Sequence, residues 1–279
     1  MEEIVAQAQP IPDGVDPTRP SPARMYDFML GGTHNLEIDR QATQRIYAQA
    51  PDLFDGAWAN RGFHGRAARW LAAERGITQF IDLGSGLPTQ QNTHEVVHAV
   101  DPAARVVYVD SDPMVLLLGG EMLADDGTTA VLHADLREPD AVLNHPDLRA
   151  LIDFDQPTAV LMTAVLHFVP DASDPWALVA RYLSALAPGS YLALSHTTRD
   201  NLPASQVDTV VQVYQGATES VFPRSRAEVE RFFAGLEIVP PYPGAGPVLT
   251  HAGLWGAEDP DAADSDGARA FYCGVARRP

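Results

Sequence analysis

Short and nearly continuous apolar runs alternate with segments of helical spacing from residue 76 onward. Such runs are typical of parallel strands, because helices cover both faces of a parallel sheet. The alternation therefore predicts an α/β fold with a mostly parallel sheet and helices on both faces. The five runs are Thr78–Leu83, Arg105–Asp110, Thr128–His133, Thr158–Thr163 and Ser190–His196.

The end of the chain departs from this alternation. Two further strand-like runs, Leu236–Val239 and Ala270–Ala276, have no helical segment between them. The intervening residues are rich in Pro, Gly and Asp and are predicted to form loop. Strands without a crossover helix can pair antiparallel, so these two are expected at one edge of the sheet.

Before residue 76 the pattern is helical. Asn35–Ala50 and Ala57–Glu74 are predicted helices, and Phe63, Ala67 and Leu71 recur at helical spacing in the second. Residues 1–22 contain five Pro and little apolar periodicity. The expected division is a flexible or wrapping arm at 1–22, a helical extension or lid at 23–75 and the α/β core at 76–279.

Composition removes several classes of protein. Apolar residues make up 46% of the chain, which suits a globular core. All 19 basic residues are Arg, which excludes Schiff-base chemistry and a Walker P-loop, because both need Lys. The 37 acidic residues give a net charge of −18, which argues against nucleic acid or an anionic membrane as a partner. The single Cys273 excludes an internal disulfide framework.

The beginning of the chain is acidic and Pro-rich, without the apolar region of a signal peptide, and no apolar run approaches membrane-spanning length. We therefore expect a cytoplasmic protein. The expected partner is a small-molecule substrate, and the expected assembly is a monomer or a homodimer.

A glycine turn follows the first strand. Gly84-Ser85-Gly86 would bring the backbone close to a ligand at the carboxyl end of a strand, where open α/β sheets bind ligands. The dinucleotide fingerprint requires a third Gly where this chain has Thr89. Asp82 precedes the turn and would repel a pyrophosphate, but it suits a cationic ligand such as S-adenosylmethionine. An NAD-dependent oxidoreductase is the less favoured alternative.

Acids also follow the next two strands. Asp110, with Ser111 after it, could accept hydrogen bonds from ribose hydroxyls, and Asp135 could accept one from an adenine amine, with Leu136 as apolar cover. A single acid at a strand end is usually a helix cap, the role we assign to Asp112. Acids at three successive strand ends indicate a shared ligand.

The segments FIDLGSG, VVYVDSDP, LHADLREP and GLEIV…FYCGVARRP resemble the class I S-adenosylmethionine-dependent methyltransferases. The blocks ARMYDFMLGGTHNLEIDR and FIDLGSGLPTQQNTHEV resemble one actinobacterial branch, the S-adenosyl methyltransferases, formerly a domain of unknown function. The resemblance covers residues 21–279. It implies a Rossmann-like, seven-stranded sheet with an antiparallel last strand. It also implies a cofactor site along Asp82, Gly84, Ser85, Gly86, Asp110, Ser111, Asp135, Leu136, Thr163 and Ala164.

The branch-specific block lies before the core fold and must pack back over it. A Gly pair followed by His and Asn suits a turn that approaches a ligand. One interpretation is a lid over the methionine end of the cofactor and part of the substrate pocket; the alternative is a cap helix with an ordinary glycine turn. The lid residues would be Tyr26, Gly31, Gly32, His34 and Asn35.

Two histidines are candidate catalytic bases. His167 lies in the segment after the fourth strand, and the resemblance implies that this segment lies beside the transferred methyl group. His196 ends the fifth strand, and histidine suits general-base work because of its pKa. Buried structural histidines are the alternative for both. His94 and His98 have a metal-compatible spacing but lack a third ligand, so no metal is expected.

Together these features predict methyl transfer from S-adenosylmethionine to an O, N or C nucleophile of a small molecule, with S-adenosylhomocysteine as product. A non-catalytic cofactor-binding or regulatory protein on the same fold stays open, because fold does not determine function. The aromatic residues expected around a partly apolar pocket are Tyr26, Phe28, Phe168, Tyr214 and Trp255.

Overall fold

The computed structural model describes residues 13–122 and 127–279, and its centre is one mixed sheet. The strand order is β3-β2-β1-β4-β5-β8-β6, with β7 paired to β8. In the described residues the strands are β1 Gln79–Leu83, β2 Arg105–Asp110, β3 Thr129–His133, β4 Ala159–Thr163, β5 Tyr191–Thr197, β6 Glu237–Ile238, β7 Thr250–His251 and β8 Phe271–Arg277.

Strands β1 to β5 are parallel, and β8 runs antiparallel to β5 and β6. The predicted α/β class and the antiparallel pairing at the sheet edge are thus confirmed. The two residues of β7 lie in a segment predicted as loop, and they pair with Tyr272 and Cys273 of β8. A strand of two residues is too short to show an alternating apolar pattern in the sequence. It is recognised only from its pairing with β8.

Eleven α-helices surround the sheet in the described residues. Three of them, α1 Pro22–Met29, α2 Glu37–Tyr47 and α3 Asp52–Arg75, precede β1. The others are α4 Thr93–His98, α5 Pro113–Met122, α6 Pro139–Leu143, α7 Pro146–Leu151, α8 Pro175–Ser184, α9 Ala204–Gln215, α10 Arg226–Glu230 and α11 Pro260–Ala263.

Helix α3 begins five residues before its predicted start at Ala57. Asp52 and Asp55 occupy its first turn, where acidic side chains are favoured by the helix dipole. Gly56 allows this turn to approach the backbone of Gly267, because a β-carbon there would lie 2.8 Å from the Gly267 carbonyl oxygen. The helix ends at Gly76, which adopts the left-handed conformation with φ +64°.

A hydrophobic core lies on each face of the sheet. On one face, Met25, Ile46 and Phe63 of the first three helices share a core with Phe80 of β1 and Leu161 of β4. The helical extension therefore packs directly on the sheet. Residues 1–12 of the predicted arm lie outside the described residues, and the division into arm, extension and core stays a prediction.

The carboxyl ends of β1 to β5 share one edge of the sheet, since these strands are parallel. In the order β3-β2-β1-β4-β5, the chain reverses its direction of progress between β1 and β4. Open α/β sheets bind ligands at such a switch point.

Candidate active site

A cavity of about 360 Å³ lies at this switch point. The turns after β1, β2, β3 and β4 form its floor, and α1, α2, α3 and α9 contribute to its cover. Residues 14–16 of the N-terminal segment also reach the cavity. The cavity thus lies between the α/β core and the segments that precede it.

The glycine turn after β1 lies against the turn after β4. Gly84 has φ +70°, and a β-carbon on it would lie 2.1 Å from Cγ2 of Val165. The amides of Gly84 and Ser85 donate to the carbonyl oxygen of Val109 at 2.8 and 3.3 Å. Both Ser85 and Gly86 line the cavity. Only glycine combines this conformation with so close an approach.

Asp110 at the end of β2 is held by the backbone. Its Oδ2 accepts from the Gly86 amide at 2.8 Å, and its Oδ1 accepts from the Asp112 amide at 2.9 Å. Burial raises the pKa of Asp110 to about 6, against the opposing effect of these hydrogen bonds. Asp112 caps α5 as predicted, because its Oδ1 accepts from the Met114 amide at 2.9 Å.

Asp135 after β3 lies on the cavity but is engaged by Arg137. The Arg137 Nε is 2.9 Å from both carboxylate oxygens, and the rest of the guanidinium contacts both oxygens of Glu219 at 3.2 Å. Burial alone would raise the pKa of Asp135, but the hydrogen bonds from Arg137 lower it below its ordinary value. A ligand that uses Asp135 must therefore compete with Arg137.

Asp82 lies behind the glycine turn, on a small cavity of about 20 Å³ next to the large one. Its Oδ2 accepts from the Thr93 hydroxyl at 2.6 Å. Burial raises the pKa of Asp82 to about 6, and nearby Asp110 adds to this, whereas Thr93 and Arg61 oppose it. Asp82 does not line the large cavity.

The sequence analysis missed His64, which joins Asp82 to the end of β4. Its Nδ1 lies 3.0 Å from the hydroxyl of Thr163, and its Nε2 lies 2.8 Å from the hydroxyl of Thr93. Since Thr93 gives its own proton to Asp82, it accepts from His64, and the ring proton lies on Nε2. Burial lowers the pKa of His64 to about 3, so the ring is neutral.

Ala164 after β4 has φ +53°, which is unusual for a residue with a β-carbon. Its amide donates to the Ser195 hydroxyl at 2.9 Å, and that hydroxyl donates to Oδ1 of Asn60. Asn60 in turn donates to the Tyr26 hydroxyl at 2.8 Å, and Tyr26 donates to the Ala57 carbonyl at 3.0 Å. This chain holds Tyr26 and Asn60 at the cavity wall.

The other predicted lid residues lie outside the lining of the cavity. Asn35 donates to Asp27 at 2.7 Å and to the Gly32 carbonyl at 2.9 Å, and a β-carbon on Gly32 would lie 2.0 Å from Asp27 Oδ1. The glycine turn of Gly31 and Gly32 thus packs on α1, with His34 half-buried beside it. Their role in a lid stays a prediction.

The two candidate bases have different surroundings. His167 lines the cavity, and its Nδ1 accepts from the Thr197 amide at 3.4 Å. His196 is fully buried away from the cavity, with Nδ1 2.7 Å from the Thr197 carbonyl and Nε2 2.8 Å from Arg224. Burial lowers the pKa of both rings, that of His196 to about 3. The catalytic role of His196 stays a prediction that this geometry does not favour.

An aromatic group forms the end of the cavity beyond β4. The centroid of the Phe168 ring lies 4.4 Å from that of His167 and 5.6 Å from that of Tyr214. The ring centroids of Phe271 and His167 are 6.2 Å apart. Met29 and Val210 add aliphatic cover to the cavity. Of the other aromatic residues expected here, Phe28 packs against Phe54, and Trp255 lies in the core between Phe63 and Trp70.

The remaining predicted cofactor residues, Ser111, Leu136 and Thr163, all line the cavity. Four further residues that line the cavity were not predicted as site residues from the sequence. They are Asn60, Arg61 and His64 of α3, and Arg137. No local signal marked the first three, because polar residues at helical spacing are equally typical of a helix face exposed to solvent.

The fold and the position of the cavity match the class of α/β protein that the sequence resembles. The chain belongs to the S-adenosyl methyltransferase family, whose model matches residues 8–279. The cofactor of this family is S-adenosylmethionine, in agreement with the sequence prediction.

Solved structures agree with this family. A crystal structure of a proposed methyltransferase from Thermobifida fusca shares 42% identity, with TM-score 0.87, over 96% of this chain and 98% of that chain. A DUF574 family protein from Streptomyces avermitilis shares 38% identity, with TM-score 0.86, over 94% and 98%.

This chain shares the fold alone with an O-methyltransferase family protein from Burkholderia thailandensis. The two are 11% identical with a TM-score of 0.50, over 85% of this chain and 62% of that chain. Among curated proteins no relative matches the chain. In the part of the chain that the structure describes, no helix has the length and apolar character needed to cross a membrane.

Proposed function

We propose that the protein transfers the methyl group of S-adenosylmethionine to a small, uncharged and largely apolar acceptor. The observation that carries this proposal is the division of one cavity into two chemically different ends. Carboxylates and backbone amides surround the end at β1 to β3, whereas aromatic side chains surround the end beyond β4.

The residues at the first end fit the cofactor. Asp110 uses one lone pair of each carboxylate oxygen on a backbone amide, so both oxygens can still accept from ribose hydroxyls. Ser85 and Gly86 bring the backbone close to the ligand. Asp135 can accept from the adenine amine once Arg137 releases it and keeps only its contacts with Glu219.

The second end fits an acceptor with an apolar body and few polar atoms. Phe168, Tyr214 and Phe271 supply flat apolar surface. The Tyr214 hydroxyl has no hydrogen-bond partner among the described residues, so it can bind one polar atom of the acceptor. A charged acceptor would lose part of its hydration against these uncharged aromatic side chains, which is costly.

His167 is suited to orient the acceptor. Because its Nδ1 accepts from the Thr197 amide, the proton of the neutral ring lies on Nε2. Nε2 can then donate to a lone pair of the acceptor. The bound cofactor supplies an electrophilic methyl group on a good leaving group, so the chain mainly provides orientation and exclusion of water.

Titration calorimetry with S-adenosylhomocysteine and with NAD tests the first half of the proposal. We expect S-adenosylhomocysteine to bind and NAD to give no heat. Binding of NAD alone would instead support the oxidoreductase alternative.

A methyl-release assay with labelled cofactor tests the second half, using pairs of acceptors that differ in one charge, such as phenols with and without a carboxylate. We expect turnover with the uncharged member of a pair, and turnover with only the charged members would contradict the proposal. Tyr214→Phe should raise KM for a phenol that the protein accepts as substrate, because the variant loses one hydrogen bond to the acceptor.

A non-catalytic cofactor-binding protein is the second candidate. It is favoured by one observation: both ring nitrogens of His64 and of His196, and Nδ1 of His167, are already engaged within the protein. Tight binding of S-adenosylhomocysteine with no methyl release across the whole acceptor panel would favour this candidate.

A further inference from the structure

Arg61 of α3 lies at the junction of the large and small cavities and lines both of them. Its Nε donates to the Gln90 carbonyl at 2.9 Å, and its Nη2 donates to Asn92 Oδ1 at 3.3 Å. A guanidinium has five N–H donors, so most of its capacity is unused. In the described parts of the chain no carboxylate lies within 4.0 Å of it.

The other guanidinium groups on the large cavity are paired. Arg24 contacts Asp39 at 2.8 Å, and Arg137 contacts Asp135 at 2.8 Å and Glu219 at 3.2 Å. Arg61 is partly buried, and a charge removed from water is costly unless an opposite charge and hydrogen bonds replace the water. Its unused donors therefore point to an anionic ligand group.

The position of Arg61 limits which anion this can be. Arg61 and Asp82 line the same small cavity next to Ser85 and Gly86, and the charge of Arg61 acts on Asp82 to lower its pKa. The two opposite charges are close but not in contact. A ligand that carries both an ammonium and a carboxylate could bind one group to each side chain.

We propose that Arg61 binds the carboxylate at the amino-acid end of S-adenosylmethionine, next to Asp82 on the ammonium side. The inference rests on the proposed function, because it takes the cofactor as given. It adds a source of specificity, because Arg61 would favour a ligand with the intact amino-acid end over a ligand with the same adenosine and no carboxylate.

The test compares two ligands that differ only in this group, S-adenosylhomocysteine and its decarboxylated analogue, by titration calorimetry on the full chain. Arg61→Gln should weaken S-adenosylhomocysteine binding about ten- to one-hundredfold, which corresponds to loss of a charge-assisted hydrogen bond. It should leave binding of the decarboxylated analogue unchanged within about twofold. Arg61→Lys should recover part of the loss, because it restores the charge.

The matched control is Arg69→Gln, an exposed arginine two turns along the same helix, which should bind both ligands as the wild type does. Equal weakening of both ligands by Arg61→Gln would overturn the proposal, since Arg61 would then only hold the segment of Gln90 and Asn92. Unchanged binding of S-adenosylhomocysteine would overturn it as well. A wild-type protein that binds neither ligand would contradict the proposed function itself, together with this inference.

Discussion

At the scale of single residues, similar side chains at equivalent strand ends have different surroundings. Asp110 contacts only backbone amides, Asp135 is engaged by Arg137, and Asp82 lies behind the glycine turn on the small cavity. The sequence placed the three acids on one edge of the sheet. It could not assign their partners, because the folded conformation of the turns decides which donor each carboxylate meets, whether the donor is near in sequence like Arg137 or further away like Gly86.

The conformation of the glycine turn gives a prediction with a matched control. Gly84 and Gly86 both have positive φ, but only Gly84 would place a β-carbon against Val165. We expect Gly86→Ala to cost about 1 kcal/mol of unfolding free energy from backbone strain alone. Gly84→Ala should cost about 2–4 kcal/mol, because steric overlap adds to the strain. Denaturant unfolding measures both, and equal losses would contradict the assigned contact.

The raised pKa of Asp110 predicts a pH dependence of cofactor binding. The ionised carboxylate accepts hydrogen bonds better than the protonated one, so S-adenosylhomocysteine should bind more tightly as pH rises through about 6. Asp82, with a similar pKa, should add to the same trend. Calorimetry at pH 5, 6 and 7 measures it, with Asp110→Asn expected to weaken binding and reduce the slope. Equal affinity of the wild type at pH 5 and 7 would contradict this prediction.

Asp110 and Asp82 also make the stability of the unliganded fold depend on pH, and this stability falls as pH rises whereas cofactor binding tightens. Their pKa in the folded protein lies above the ordinary value of about 4, so the unliganded fold holds their protons more firmly than the unfolded chain does. Their contribution to stability is therefore greatest below about pH 4 and is lost as pH rises to about 6. The cofactor should offset part of this loss, because it supplies partners for the ionised groups.

At the scale of elements, α3 joins the core to the site. One face of the helix contributes Phe63 to the core, and the polar residues Asn60, Arg61 and His64 of the same helix reach the cavity. The apolar spacing was enough to predict the helix. The contacts of its polar residues could not be predicted in the same way, because they depend on how β1, β4 and α4 pack around the helix.

The contact between α1 and α2 gives a prediction about stability. Asp39 is fully buried and accepts from Arg24 at 2.8 Å, from the Ser21 amide at 2.9 Å and from the Leu36 amide at 2.8 Å. Asp39→Asn should lower the unfolding free energy by about 3–5 kcal/mol, because it leaves the buried Arg24 charge without its carboxylate partner.

The control lies in the same helix. Glu37, whose side chain is 66% exposed, pairs with Arg40. We expect Glu37→Gln to cost less than about 1 kcal/mol, as is usual for exposed ion pairs. Thermal or denaturant unfolding compares the two variants, and similar losses would show that the buried pair adds little to the contact between the helices.

At the scale of the whole molecule, the cavity exists because the first three helices pack on the same sheet whose strand ends form its floor. The charge of −18 has a limited local role here, since only a few carboxylates reach the cavity. No part of the chain provides the complete site alone.

Hydrogen exchange should detect this arrangement. Because the cavity is bounded both by the strand ends and by the preceding helices, S-adenosylhomocysteine should slow exchange in the turns after β1 to β3 and also in α1 and α3. The far ends of α7 and α8 should exchange as before. Protection confined to the turns would mean that the first helices do not enclose the ligand.

The sequence by itself determined the five parallel strands with the helical segments between them, the glycine turn and the carboxylates at the strand ends. These follow from local periodicity and from the geometry of a parallel sheet, in which every carboxyl end lies at one edge. Only the tertiary structure decided which polar groups meet, such as His64 with Thr93 and Thr163, or Arg137 with Glu219. Such contacts join residues far apart in the chain, and local spacing carries no information about them.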